Sequence, residues 1–475
     1  MADELVAHFE KLLTRVDGLY SAIVTDRDGV VLLKATAPDC PLPFTESALG
    51  CTFALASDQA SKLGLKKNKS IVGVFEGYQL VQFNHSPLIT TFVASSEANT
   101  ATLYPAMPNH FSHSMGIPIY CVGFTHDDNL IIGGGGGPGN SGVKNKIAIY
   151  KVDRTEKKLD LLIERELSRE EDAPMSINVH PKEDTAAFGI NSSNNKIKAG
   201  ENENCRVFQL ASDAISPIHK KNTLTSRNPD DYQKVVRFNR AGTLLATGGT
   251  DGVIAMLKYP SLTAHRPATQ MKGHEILDID FSEDDSKMAV VSEQNMWIVS
   301  TETGKVLEVI TNPVHSKKKF SFRACRFGRG PFSNVLYTVV NGPPRQKPFV
   351  CIWDTTRWAR IRTMTVGPRP ITSCTLSPDG KLIAFGSADQ GIRICSAKSL
   401  QVLMTIADAH DLPVISMAFS SDASLLVTGS ADAKCRIVLV PKVFPKNHNF
   451  LYLVLALLFI FLAFAIQVYQ NYGHL

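Results

Sequence analysis

The chain has 475 residues, 44% of them hydrophobic, an ordinary globular balance in a length that accommodates more than one domain. A formal net charge of +5 over that length is too weak to mark a nucleic-acid binder, and the basic run Lys317-Lys318-Lys319 reads as a solvated loop. Nine scattered cysteines, with no CxxC pair and no histidine at zinc spacing, read as reduced thiols and not as a disulfide framework or a metal site.

The first residues show no basic stretch followed by an apolar one, so no cleaved signal peptide is expected. Residues 2–15 instead place Leu5, Val6, Phe9, Leu12 and Leu13 at helical spacing and predict an amphipathic helix. A hairpin is expected next, because Tyr20 to Thr25 and Val30 to Lys34 are strand-like and Asp28-Gly29 supplies the positive φ of a tight turn. Helical period returns from Glu46 to Leu63. Strand runs follow at Ser70 to Phe75, Tyr78 to Asn84 and Leu88 to Ala94, divided by Gly77 and by His85-Ser86-Pro87. This order predicts an α/β domain over residues 1–100. Ala101 to His113, rich in Pro, His and Asn and without helical period, reads as a linker, 101–115.

The most specialised stretch is Ile131 to Tyr150, in which a glycine-rich loop joins two apolar strand-like runs. Glycines 133–137, 139 and 142 permit close backbone approach, Pro138 fixes one dihedral, and successive carbonyls of such a loop can ligate a cation. Gly137, Gly139 and Gly142 spell GxGxxG, and 137–142 begin a P-loop. Both phosphate-binding motifs require a helix next, and the P-loop requires Gly-Lys-Ser/Thr where this chain has Val143-Lys144-Asn145. The run Lys146-Ile147-Ala148-Ile149-Tyr150 alternates as a strand, which argues against both.

From about Gly116 to Pro441 the sequence repeats. Val235 to Ile254, Ile371 to Asp389 and Val414 to Asp432 share one scheme of strand, turn, strand and turn. The last strong apolar residues before each first turn are Phe124, Val179, Phe238, Phe281, Phe327, Leu376 and Phe419, about 43 to 59 residues apart, near the WD-repeat period. Gly273-His274, Ala409-His410 and Trp353-Asp354 support that class. An all-β propeller of about seven blades over 116–441 is therefore expected, with His274, Asp251, Asp389, Asp432 and Trp353 in structural roles.

After a juxtamembrane linker, 442–449, residues 450–468 form about 19 uncharged, apolar positions, close to the roughly 20 that cross a bilayer as a helix. Lys442 and Lys446 precede this span, so the preceding chain is expected in the cytosol and the tail 469–475 in the lumen.

Two resemblances follow from these residues. The segments Thr25 to Val30, Thr52 to Leu65, Lys67 to Ile71 and Val81 to Asn84 make the first hundred residues similar to the roadblock/dynein-light-chain family, in particular its Ragulator and MAP-kinase-adaptor branch. That family implies pairing with another roadblock-domain protein and no catalytic residues. It also ends in a long helix, for which 101–113 has no pattern. The segments Gly133 to Lys146, Gln233 to Asn239, Leu244 to Gly252, Ala324 to Gly328 and Ala409-His410 make the remainder resemble the prolactin regulatory element-binding protein family, the endoplasmic-reticulum exchange factors for the Sar GTPase of the COPII coat. That resemblance implies guanine nucleotide exchange without covalent chemistry. It places Asn145, Val143 and Lys144 at a GTPase-contacting loop tip, and a potassium ion on the backbone of Gly134, Gly135, Gly136, Gly137, Gly139, Asn140 and Gly142. The alternative is a membrane-tethered WD-repeat scaffold with a roadblock docking domain and no exchange activity.

Overall fold

The computed structural model describes residues 9–444, apart from 11, 15, 39, 41–45, 63–67, 69, 86, 99–109, 140, 212–213, 312–319 and 344. The chain divides into two compact units, with the boundary between residues 109 and 110.

The first unit is a five-stranded antiparallel sheet with a helix against it. Its elements are β1 (Leu19–Asp26), β2 (Val31–Thr36), α1 (Glu46–Ser61), β3 (Ser70–Val74), β4 (Tyr78–His85) and β5 (Leu88–Ser95), in the order β2-β1-β5-β4-β3. The first hairpin turns where the sequence places it. Gly29 has φ 85°, and Asp26 Oδ1 accepts hydrogen bonds from the amides of Asp28 at 3.0 Å and Val30 at 2.8 Å. Phe9, Leu12 and Val16 bury against the sheet residues Val24, Phe83 and Phe92, with Phe9 edge-on to Phe92 at 6.2 Å. Phe9 and Leu12 thus occupy the apolar face expected of the opening helix, whereas Leu5 and Val6 lie outside the described residues. The helix α1 packs on β1, β3 and β5 and buries Phe53.

The second unit consists of seven antiparallel sheets. Their first strands are Ile119–Phe124, Ser176–Val179, Gln233–Phe238, Asp278–Phe281, Ser321–Phe327, Ile371–Leu376 and Val414–Phe419. Each of the seven periodic apolar residues read from the sequence is the last residue of one of these strands. Each first strand packs on the next, and the last packs on the first, so the sheets form a closed ring. A sheet with two apolar faces cannot be stable alone, and this stacking covers both.

Close packing explains the glycines of the repeat. A Cβ on Gly429 would collide with Ile119 of the neighbouring sheet, one on Gly386 would lie 2.6 Å from Val414 Cβ, and one on Gly248 would collide with Ile276. The turns are tied by a recurring pair in which a serine hydroxyl donates to an aspartate two residues on: Ser282 to Asp284 at 2.6 Å, Ser377 to Asp379 at 2.6 Å, and Ser420 to Asp422 at 2.7 Å.

The polar residues of the repeat hold turns. His410 Nδ1 lies 3.0 Å from Asp432 Oδ2 and its Nε2 lies 2.8 Å from Thr428 Oγ1, with all three side chains buried. Burial depresses the His410 pKa despite the pull of Asp432. Asp251 accepts from the amides of Thr225 and Ser226, Asp389 pairs with Arg393 at 2.8 Å, and Trp353 Nε1 donates to Thr338 at 2.8 Å. His274 stacks edge-on to Trp297 at 5.6 Å.

The linker expected over 101–115 differs in the structure. Its residues His110–Ser114 form a strand, β6, which pairs antiparallel with Lys434–Leu439 and completes the last sheet, in register from Ser114 opposite Lys434 to His110 opposite Val438. A short run of His, Phe and Ser has no strand pattern of its own; the pairing comes from the open edge it covers. The expected span 450–468 and the tail 469–475 lie outside the described residues, as do residues 445–449 of the preceding linker. Among the described residues no helix is long and apolar enough to cross a membrane.

Phe111 packs on the core of the closing sheet, opposite Ile437. Replacing Phe111 with Asp places a carboxylate there at a cost of roughly 1–3 kcal/mol. Scanning calorimetry should show the melting temperature of the second unit lowered by several degrees; an unchanged transition would mean that closure does not rest on this strand.

Candidate functional site: a braced glycine loop and an open sheet edge

The glycine loop lies in the first sheet, whose strands are β7 (Ile119–Phe124), β8 (Leu130–Gly134), β9 (Lys146–Asp153) and β10 (Lys158–Glu166). Gly133 pairs with Ile147 and Gly134 with Lys146, so residues 135–145 bridge β8 and β9, and a strand follows the loop as the sequence indicates. No helix N-terminus is available to hold a phosphate here.

Several glycines are required by geometry. Gly135 and Gly137 have φ of 149° and 76°, and a Cβ on Gly134 would run into the carbonyl of Pro118. The amide of Gly135 donates to that same carbonyl at 3.0 Å. Gly139 and Gly142, also at positive φ, face open space.

Asn145 organises the loop. Its Oδ1 accepts from the Gly137 amide at 2.9 Å, and its Nδ2 donates to the carbonyls of Gly137 at 3.0 Å and Glu171 at 2.8 Å. Its own carbonyl accepts from Leu167 at 2.8 Å. Asn145 is only 3% exposed. The resemblance implies that it sits at the contacting tip with Val143 and Lys144; the structure turns it inward, where it acts as a brace. Val143, 36% exposed, remains at the surface, and exposed Lys144 pairs with Glu166 at 2.7 Å.

The brace includes a segment that sequence reasoning missed. Residues 167–172 run beside the loop, the Gly139 amide reaches Arg169 O at 3.4 Å, and Glu171 is fixed by Arg206, whose side chain is 4% exposed, at 2.8 Å. The only local hint was the alternation that pairs Lys146 with Glu164 at 2.8 Å across β9 and β10.

The potassium expectation meets two observations. Gly137, one of the expected carbonyl donors, already accepts from Asn145, and Asn140 lies outside the described residues. Against the loop, however, sits Asp172, whose carboxyl burial lifts above its ordinary range and which has no cationic partner among the described residues.

The first unit presents a different feature. β3 is an edge strand, and Val72 and Val74 lie on one face of it, followed by Phe75. Val74 is 73% and Phe75 55% exposed, and Leu55 of α1 is 69% exposed. Exposed large apolar side chains beside the outermost described strand of a sheet mark an interaction surface.

Comparison with known proteins bears on both units. A family described as mitogen-activated protein kinase kinase 1 interacting matches residues 3–109, and one described as WD domain, G-beta repeat matches residues 359–396 and 400–438. Each matched WD segment starts on the last strand of one sheet and ends on the third strand of the next. Over 103 residues the chain is 48% identical to Ragulator complex protein LAMTOR3 of Tetraodon nigroviridis and to that of Homo sapiens, covering 22% of this chain and 83% of each relative. It is 50% identical to LAMTOR3-A of Xenopus laevis over 22% of this chain and 84% of the relative. A chain in the crystal structure of the mitotic checkpoint complex aligns over 70% of this chain and 94% of its own length, with a TM-score of 0.54 and 16% identity, a likeness of fold alone.

Replacing Asn145 with Ala removes three side-chain hydrogen bonds and leaves the Gly137 amide and the Glu171 carbonyl without this partner, at about 1–3 kcal/mol. Hydrogen exchange should show the Gly137 amide losing protection while the strands β8 and β9 keep theirs; unchanged protection at Gly137 would remove Asn145 from the brace.

Proposed function

Because the chain belongs, through residues 3–109, to the mitogen-activated protein kinase kinase 1 interacting family, we propose that it is a two-module docking protein. Its first unit binds another roadblock-domain protein, and its second unit, a seven-bladed WD-repeat propeller, presents a separate binding surface. The observation that carries this reading is that β3 is the outermost of the described strands of its sheet, with Val72, Val74 and Phe75 exposed beside it. A partner sheet or helix that covers these side chains removes apolar area from water. The propeller suits the same role, since ring-shaped repeats mostly bind and do not catalyse. In this reading residues 450–468 anchor the assembly to a membrane, with the two modules in the cytosol.

Replacing Val74 with Asp tests the docking surface. That position is already exposed, so the fold should survive, while a carboxylate at the centre of an apolar contact should weaken binding at least tenfold. Co-elution of the full chain with a roadblock-domain partner in size-exclusion chromatography is the readout. Undiminished complex formation by this variant would defeat the proposed edge.

A second reading is supported by the braced loop. Exchange on a Sar-type GTPase at the endoplasmic reticulum needs a stiff element that binds the nucleotide-free form better than the loaded one. Asn145 supplies stiffness, and Val143 and Lys144 supply an exposed tip. Under this reading Val143→Asp abolishes acceleration of nucleotide release by the purified chain, and the docking of the first unit is unaffected. Failure of the native chain to accelerate release from a Sar-type GTPase would leave the docking reading alone.

A further inference from the structure

The first strands of the seven sheets surround a central channel of about 460 Å³, a volume in the range of small-molecule sites. Its wall mixes apolar residues with six charged ones, Lys234, Arg237, Asp278, Arg323, Arg326 and Arg329. At the end where the first strands turn into the second, Arg237, Arg326 and Arg329 line the cavity, and Arg240 lies just beyond Arg237.

The carboxylates near these four guanidinium groups hold Arg326 but leave Arg240 and Arg329 without a hydrogen-bonded carboxylate. Asp278 lies 3.4 Å from Arg237 and also pairs with Arg326. Asp280 is at 3.9 Å from Arg237 and 3.7 Å from Arg240, and it spends its second oxygen on the Phe327 amide at 2.8 Å. Glu283 reaches Arg240 only at 3.9 Å. Arg329 has no ion pair among the described residues. Among the described residues, the buried Arg329 Nε and Arg240 Nε and Nη2 have no hydrogen-bond partner.

Such an arrangement is costly for a fold to keep empty of anions. A buried guanidinium left without a hydrogen-bond partner loses solvation with nothing in return. Burial, followed by repulsion from Arg240, pushes the Arg329 pKa down to about 9, even though Asp280 pulls the other way. The neighbouring Arg326, held by Asp278, moves upward despite its burial. Arg326 is thus paired with Asp278, whereas Arg329, three residues on, has no ion pair among the described residues and keeps a buried Nε without a hydrogen-bond partner.

Arginine forks match phosphate oxygens in geometry and bind them with charge-assisted hydrogen bonds. We propose that this end of the channel seats a phosphomonoester group of a small ligand, with Arg329 as its principal contact and Arg240 and Arg237 beside it. The ligand class is a small phosphorylated polyanion, such as an inositol polyphosphate or the equivalent lipid headgroup. The proposal does not depend on the β3 edge or on the glycine loop, which lies at the opposite ends of the strands, where the second strand turns into the third.

Isothermal titration of the full chain in detergent with inositol hexakisphosphate, and separately with inorganic phosphate, tests the seat. We expect saturable binding of the hexakisphosphate at one site per chain, weakened at least tenfold in Arg329→Gln. Arg323→Gln serves as the comparison. Arg323 also lines the cavity but precedes Arg329 by six residues of largely extended chain, roughly 20 Å away, so its loss should change binding less than threefold. Without ligand, Arg329→Gln should melt no lower than the native chain, because an unpaired charge has been removed. Vesicles carrying a phosphoinositide form the second arm. Tighter binding to vesicles than to the free phosphates assigns the seat to a lipid headgroup, and the reverse order assigns it to a soluble ligand; either supports the proposal. No saturable binding at millimolar probe, or equal loss in the two variants, would overturn it.

Discussion

The second unit depends on one antiparallel ladder, the pairing of β6 with Lys434–Leu439. Each sheet of the ring relies on its neighbours to cover its faces, so the ring is a cooperative object whose weakest junction sets its stability. The WD segments begin on the outer strand of one sheet and end on the third strand of the next, which leaves the last sheet one strand short. His110–Ser114 supplies that strand. Phe111, Met115 and Ile117 then bury with Ile119 and Ile437 in one core, so the closing strand and the first strand of the ring share their packing.

Much of this architecture was legible from periodicity, because the ring's physics is repetitive. Seven apolar residues at similar spacing mark the ends of seven first strands, and glycines fall where neighbouring sheets approach too closely for a Cβ. The closing strand escaped because it is a single, unrepeated segment whose conformation is imposed by a partner more than 300 positions away. A local pattern carries no trace of such an edge. The strands of the first unit were readable for the same reason as the repeats, since alternation and the Asp28-Gly29 turn are local signals.

The glycine loop shows where residue-by-residue transfer from a resemblance stops. Its backbone demands were readable, since Gly135 and Gly137 occupy conformations that disfavour other residues. The direction in which Asn145 points was not, because its decisive partner, Glu171, lies 26 residues later and is itself fixed by Arg206. The loop is consequently a supported hairpin, and its outward chemistry includes Val143 and Lys144 but not Asn145. The arginine cluster was invisible for a related reason. Arg237, Arg240, Arg326 and Arg329 come from two sheets that are not adjacent in the chain, and the packing of both on the sheet between them gathers them.

The register of the closing ladder also has a mechanical meaning. His110, where the chain enters the ring, lies opposite Val438, one residue before the end of the strand from which the chain departs. Entry and exit therefore sit at the same end of two antiparallel neighbours. Tension applied between whatever holds the preceding residues and whatever holds the following ones would act across the ladder, peeling its hydrogen bonds one after another, and not along it in shear, where they would have to rupture together. The ring is accordingly weakest against a pull on its two tails, so any sustained load between the two flanking segments would open the circle at this seam before disturbing the other six sheets.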